Sequence, residues 1–274
     1  MRNDIMINDR IPATIYKAKS EEKTPMVVLC AGGMSSRNEI GDYFVKLSKA
    51  LNKKGISTIT FDVAGNGERV DDEVKTWNQD MMDLMEVLIY LKENEKTLGV
   101  DTSDMQLMGY SLGALTAIEF ISEHPDVFTH FIAQGPAWTY EEISQLSQET
   151  LYNYNFPTED GGFKEYKISK DVATEMANQL RDDSNIAVNT LNTGNIDYTI
   201  VVGENDQDCG IDFLRNNFQN IKIIPESDHV FGMFQDNTEE YCERNMQAFI
   251  KTIVEDVEKS VKMKRKRTDF GEME

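Results

Sequence analysis

Met105-Gln106-Leu107-Met108-Gly109-Tyr110-Ser111-Leu112-Gly113 decides the fold of this 274-residue chain. The mostly apolar residues up to Tyr110 read as a short buried strand, whereas Leu112, Leu115, Ile118 and Ile121 recur at the helical interval on the way to His124. Ser111 therefore sits where a strand becomes a helix. Gly109 and Gly113, two residues to either side, suit a turn so tight that a Cβ on either would meet neighbouring backbone. A serine at the apex of such a turn is pushed outward. The Leu112 amide, at the start of the helix, points where negative charge would develop on a carbonyl under attack. G-x-S-x-G between a strand and a helix is the pattern of a nucleophilic serine; the same glycines would also serve a turn around an inert buried one.

The flanking sequence supplies the rest of the sheet. Met26 to Cys30 is a continuous apolar run, as in a strand buried on both faces, and it ends in Ala31-Gly32-Gly33-Met34-Ser35-Ser36. Ile40, Phe44, Leu47 and Leu51 mark a helix closed by Gly55, and Ile56 to Phe61 the next strand. Asp62-Val63-Ala64-Gly65-Asn66-Gly67 follows as a D-x-x-G-x-G turn, and Trp77, Met81, Leu84, Leu88 and Leu91 form the helix before the Ser111 strand. Beyond it lie strands at Phe128–Ala133, Tyr198–Val202 and Ile221–Ile224, and a final helix marked by Cys242, Met246, Phe249, Ile253 and Val257. Asp4–Ile7 and Ala13–Lys17, separated by Asn8-Asp9-Arg10, open the chain as an antiparallel hairpin. Strands alternating with amphipathic helices predict an α/β fold, a mostly parallel doubly wound sheet with helices on both faces.

The alternation breaks between Gly135 and Asn195, a stretch too long for a plain loop. The core is thus expected over residues 1–135 and 196–274, with a cap insertion at 136–195. Within it, Glu141–Tyr154 and Asp171–Leu180 suggest helices and Gly162–Ile168 a hairpin arm. The insertion is rich in aromatic residues. Trp138, Tyr140, Tyr152 and Phe163 are candidates to line an apolar pocket, the alternative being a small core of the cap's own.

Composition removes whole classes of partner. With 28 Lys and Arg against 48 Asp and Glu, the formal net charge is −20 at pH 7, which disfavours nucleic acid and anionic membrane. Residues 1–7 hold no apolar run suited to secretion, and no later segment suits a bilayer, so a cytoplasmic location is expected. Cys30, Cys209 and Cys242 lack the spacing of a disulfide framework or zinc site and read as free thiols, and no phosphate-cradling loop is present. No metal and no cofactor are therefore expected. The basic cluster from Lys259 to Arg267 reads as a solvated helix end, or else as a weak anion-binding tail. The oligomeric state is left open.

A serine hydroxyl needs a base to take its proton, and that base needs a group to hold its tautomer. His124 ends the helix after Ser111 and His130 lies within a strand. His229 follows the last strand and is free to reach back. Glu204, Asp206 and Asp208 occupy the loop after the preceding strand; Asp206 is the choice and Asp208 the fallback, while Asp228 is expected to point into solvent. The order Ser111, Asp206, His229 matches one of the known serine-hydrolase arrangements.

From about Pro25 to Val257 the chain resembles the α/β-hydrolases. It is similar in style to cap-bearing bacterial serine esterases of the cinnamoyl and feruloyl esterase or serine-aminopeptidase-like group. The resemblance rests on the loop after Cys30, Asp62-x-x-Gly65-x-Gly67, Gly109-x-Ser111-x-Gly113, Gly203-x-x-Asp206 and Asp228-His229. It implies Ser111 as nucleophile, His229 as base, Asp206 as its orienter, and an oxyanion hole from the Leu112 amide and one in the first loop, Gly33 or Met34. Relatives usually carry His-Gly where this chain has Ala31-Gly32. The implied activity is hydrolysis of a small-molecule ester; a thioesterase or peptidase would use the same residues, and a silent binding fold is the competing class.

Overall fold

Eight strands form one sheet in the order β1-β2-β4-β3-β5-β6-β9-β10 in a computed structural model of the chain. The structure describes residues 1–33, 35–69, 77–138, 151–157, 163–169, 178, 184–233, 235 and 237–271. Strands β1 (Arg2–Ile7) and β2 (Ile11–Tyr16) are the expected hairpin, and β2 pairs antiparallel with β4 (Ser57–Phe61). From there inward the pairing is parallel, through β3 (Thr24–Cys30), β5 (Val100–Tyr110), β6 (His130–Gln134), β9 (Asp197–Gly203) and β10 (Ile221–Ile224).

Alternation along each central strand divides the core in two. Met26, Val28 and Cys30 of β3 join the cluster on one face, with α2 (Trp77–Leu98), α3 (Gly113–Glu123) and α4 (Ile211–Asn217). Val27 and Leu29 join the other, with α1 (Tyr43–Asn52) and α5 (Glu239–Gly271). Parallel strands bring the loops at their C-terminal ends to one edge, where the Ser111 turn lies. Among the described residues, no helix is long and apolar enough to cross a membrane.

The expected insertion differs from its reading in places. Strands β7 (Leu151–Pro157) and β8 (Phe163–Ser169) pair antiparallel, with Tyr152 opposite Ile168 and Phe163 opposite Pro157. Residues 151–154 are therefore strand, not the end of a helix. The aromatic and polar residues of Leu151-Tyr152-Asn153-Tyr154-Asn155-Phe156 alternate with a period of two, which outweighs the weaker helical pattern. Nearly all of the expected helix at 171–180 falls outside the described residues; a further helix runs over 184–192. Its Ala187 and Leu191 are buried in the main apolar cluster, as is Trp138, so both ends of the 136–195 stretch pack into the core.

Charged groups stitch the outer elements to the sheet. Asp256 of α5 meets His130 of β6 (Oδ2 to Nε2, 2.7 Å) and Lys222 of β10 (Oδ1 to Nζ, 2.7 Å). In the basic segment, Lys262 pairs with Glu258 and Lys264 with Asp104. Burial alone would raise the Asp256 carboxyl, but hydrogen bonds from His130, Lys222 and Thr199 hold it at about 2. A carboxyl depressed in the folded state contributes stability that is complete above its ordinary value and is lost as pH falls through the folded one. Asp256→Asn is therefore expected to cost about 2 kcal/mol near neutral pH. Urea unfolding should show wild type and variant apart at neutral pH and converging as pH falls from about 4 to about 2; an unchanged gap would contradict this assignment.

Candidate active site

Ser111 stands between β5 and α3 with φ of 52°, a left-handed conformation that a residue with a side chain adopts only when its surroundings enforce it. The enforcement is visible. A Cβ on Gly109 would lie 2.4 Å from Ala114 Cα, and one on Gly113 would lie 2.3 Å from the Cys30 carbonyl oxygen. The Ser111 amide donates to the Gln134 carbonyl at 2.9 Å, tying the turn to β6.

His229 and Asp206 arrive on neighbouring loops. Ser111 Oγ lies 2.9 Å from His229 Nε2, and His229 Nδ1 lies 2.9 Å from Asp206 Oδ2. A carboxylate only accepts, so Nδ1 carries the proton in this pairing and Nε2 accepts from the serine hydroxyl. Asp208, the fallback, stands further off, its Oδ2 4.0 Å from Nδ1. Glu204 instead accepts from the Glu226 amide at 3.0 Å. His130 is committed to Asp256, and His124 caps the end of α3. Gly135, with φ of 51°, backs the pair: a Cβ there would come within 3.1 Å of His229 Nδ1 and 3.3 Å of Asp206 Oδ2.

Three supports were not legible beforehand. The Tyr110 hydroxyl donates to the His229 carbonyl at 2.6 Å while the two rings stack at 5.4 Å. Asp228 does not point into solvent; its Oδ1 accepts from the Val230 and Gly232 amides and so shapes the histidine loop. Cys209 Sγ donates to Asp206 Oδ2 at 2.9 Å. Burial, then the charge of Asp206, pushes this thiol well above the ordinary thiol range. Asp206, Cys209 and His229 present one donor atom each within 4.8 Å of one another, the one group of three among the described residues able to hold a metal ion. A cation there would have to displace the thiol proton and break the hydrogen bond between His229 and Asp206.

The first loop is organised by side chains the sequence did not single out. The Gly32 amide donates to Glu39 Oε1 and the Gly32 carbonyl accepts from Asn66 Nδ2 at 2.8 Å. In a trans peptide the carbonyl and the following N–H point in opposite directions, so the Asn66 contact also sets the aim of the Gly33 N–H. A Cβ on Gly33 would strike Leu112 Cδ1 at 2.2 Å, which places Gly33 flush against Leu112. Those two expected oxyanion donors are thus neighbours; Met34 lies outside the described residues. Asp62 holds the loop from below, accepting from the Arg37 amide at 2.6 Å and pairing with the Arg37 guanidinium. Asn66 lay within the D-x-x-G-x-G turn, whereas Glu39 carried no signal beyond a place before a helix.

The aromatic candidates separate. Trp138 is fully buried, packed on Phe218 at 5.4 Å between ring centres, and belongs to the main core rather than to an open pocket wall. The reason is its position, four residues past the end of β6, where the chain is still over the sheet face. Tyr140 lies outside the described residues, and Tyr152 and Phe163 are placed by backbone only, on β7 and β8.

A family model described as serine aminopeptidase, S33, matches residues 21–194. No curated protein matches the chain. Among solved structures, Est1E from Butyrivibrio proteoclasticus is 19% identical with a TM-score of 0.64, over 93% of this chain and 98% of that chain. A monoacylglycerol lipase from Paleococcus ferrophilus is 18% identical with a TM-score of 0.63, over 92% and 99%. The siderophore hydrolase EstB from Aspergillus fumigatus is 16% identical with a TM-score of 0.59, over 92% and 97%. At such identities the likeness is one of fold.

Burial by itself would lower the His229 imidazole, but the hydrogen bond and charge of Asp206, with Asp208 and Glu39 behind, raise it above its ordinary value. Replacing the carboxylate leaves burial opposed only by the weaker charges of Asp208 and Glu39. The C2 proton of His229, followed by NMR, should titrate above its ordinary value in wild type and at clearly lower pH in Asp206→Asn. A variant that titrates with wild type would show that this carboxylate does not govern the ring.

Proposed function

The chain belongs to the serine aminopeptidase (S33) family of α/β-hydrolases, and from that premise we propose that it is a serine hydrolase cleaving a carboxylic ester with an apolar acyl or aryl group. The observation that carries the reading is the hydrogen-bonded line from Ser111 through His229 to Asp206. In this mechanism Ser111 Oγ attacks the ester carbonyl while His229 Nε2 takes the hydroxyl proton, and Asp206 holds the resulting imidazolium. The tetrahedral oxyanion accepts from the Leu112 amide and from the first loop, with Gly33 the donor. As the intermediate collapses, the imidazolium returns its proton to the leaving alkoxide, and an acyl-enzyme remains. Water then enters, gives a proton to His229, attacks the acyl carbonyl and frees Ser111. No step needs a metal or an organic cofactor.

The acyl preference is supported by the aromatic richness of the 136–195 stretch, where Tyr152, Tyr154, Phe156, Phe163 and Tyr166 lie on β7 and β8. It is supported also by a structure of Est1E with ferulic acid bound, 20% identical with a TM-score of 0.59. An amide or thioester carbonyl would meet the same nucleophile, and the family's aminopeptidase description makes peptides the competing substrate class.

Intact-mass analysis after treatment with a fluorophosphonate should show one adduct on wild type and none on Ser111→Ala. On a panel of aryl, alkyl, thioester and aminoacyl-anilide substrates, aryl and short alkyl esters should turn over fastest, and Ser111→Ala should lose at least roughly 10³-fold in kcat. Preferred cleavage of anilides or thioesters would reassign the substrate class. Turnover undiminished in the variant would refute the mechanism. A folded wild type that takes no adduct would favour a silent, ligand-binding role.

A further inference from the structure

We infer that Glu39 is the positioning residue of the oxyanion loop: its carboxylate aims the Gly32–Gly33 backbone at the substrate carbonyl and supplies the negative charge that faces His229 from the loop side. The inference rests on the serine-hydrolase reading above and adds a residue that neither the motif nor the family description assigns.

The geometry is that of a built anchor. Glu39 is 7% exposed, its side chain turned inward on a backbone with φ of 62° and ψ of 170°, a region essentially reserved for glycine that only strong local contacts hold in place for such a residue. Oε1 accepts from the Gly32 amide at 2.5 Å. Oε2 accepts from the Ser35 hydroxyl at 2.9 Å and the Ile40 amide at 3.3 Å. The carboxylate therefore closes the loop on itself, from Gly32 to Ile40. A Cβ on Gly32 would sit 3.4 Å from Glu39 Oε1 and 3.3 Å from Ser111 Cβ, so one glycine separates the carboxylate from the nucleophile's side chain. Ala31, before Gly32, has no polar side chain to hold the loop, and the Gly32 peptide is fixed by Glu39 and Asn66.

Charge makes the anchor sensitive to pH. Burial pushes the Glu39 carboxyl up to about 7, against the hydrogen bonds of Gly32, Ser35 and Ile40 and the attraction of His229. His229 faces it from the loop after β10, with Asp206 and Asp208 beyond the ring. The phenols of Tyr43 on α1 and Tyr110 on β5 face it as well, and both stand well above the ordinary range, through burial first and the Glu39 charge among the lesser causes. Arg37, in the same loop, is committed to Asp62 and Glu68. As a carboxylate, Glu39 accepts all three hydrogen bonds. Once protonated, one oxygen must donate, and a Gly32, Ser35 or Ile40 contact is disturbed. While charged, Glu39 also raises the proton affinity of His229. Both effects place the acid limb of activity higher in pH than His229 would place it alone.

The test is the pH profile of kcat and KM for p-nitrophenyl butyrate hydrolysis by wild type, Glu39→Gln and Ser35→Ala, with Ser111→Ala as the blank. Glutamine keeps an oxygen for the Gly32 amide but neither titrates nor bears charge. Glu39→Gln should lose several-fold in kcat with KM little changed, and its acid limb should move down by roughly 0.5–1 pH unit. Ser35→Ala removes a hydrogen bond to the charged form and should move the limb the opposite way. Glu39→Ala, which also releases Gly32, should lose about 10²-fold in kcat. Stoichiometric fluorophosphonate labelling reports that each variant is folded around Ser111; should Glu39→Gln fail that check, Ser35→Ala carries the decision. A limb that stays at the wild-type pH, whatever the loss in kcat, overturns the inference while Ser111-dependent turnover stands. Absence of Ser111-dependent turnover in wild type overturns the parent reading, and this one with it.

Discussion

The backbone of Gly113 lies so close to the carbonyl oxygens of Cys30 and Ala31 that a Cβ would sit 2.3 and 2.4 Å from them. On this approach the remainder of the site depends. It clamps the start of α3 onto the end of β3, and with it brings two separate chain segments to one point: the turn that exposes Ser111 and the loop that carries Gly33. A side chain at either of the flanking glycines would push helix and strand apart by more than a hydrogen-bond tolerance. The left-handed φ of Ser111 is the local cost of the turn, and the buried contacts of Ala114, Leu115 and Ile118 beneath the sheet offset it.

Side chains of the neighbouring loops are paired across this contact, and the pairing transmits position. Asp62 and Asn66, both from the turn after β4, hold Arg37 and Gly32 of the first loop, so β4 sets the loop that β3 delivers. Tyr110, one residue before Ser111, holds the carbonyl of His229 through its hydroxyl, so β5 sets the histidine loop of β10. The first two bonds join the ends of neighbouring strands, and the third reaches from β5 past β6 and β9 to the loop after β10. The parts of the site are thus fastened to different strands of one sheet buried on both faces.

The electrostatics follow from the same burial. The charges of Asp206 and Glu39 both favour the protonated form of the histidine against a burial that opposes it. Cys209 donates a hydrogen bond to the Asp206 oxygen that also faces His229, so that carboxylate oxygen serves two donors at once. Such an arrangement stabilises positive charge on the imidazole, the state a general base passes through when it takes a proton from serine.

The sequence by itself determined the sheet, the Ser111 turn and the order of the site-bearing loops, because each depends on local signals: runs of apolar residues, helical spacing, and glycines where backbone must touch backbone. It also narrowed the acid to one loop. Local pattern failed where it was weak or ambiguous. Residues 151–154 read as helix although Tyr152, Asn153 and Tyr154 already alternated as a strand does, and Trp138 read as pocket wall although only the path of the chain beyond β6 buries it against Phe218. What the tertiary structure alone decided is which polar groups meet. Glu39 to Gly32 is a contact across a loop, Asn66 to Gly32 one between two strand ends, and Cys209 to Asp206 one inside a turn. None leaves a periodic trace, because a hydrogen bond between side chain and backbone depends on where two segments lie in space and not on their spacing along the chain.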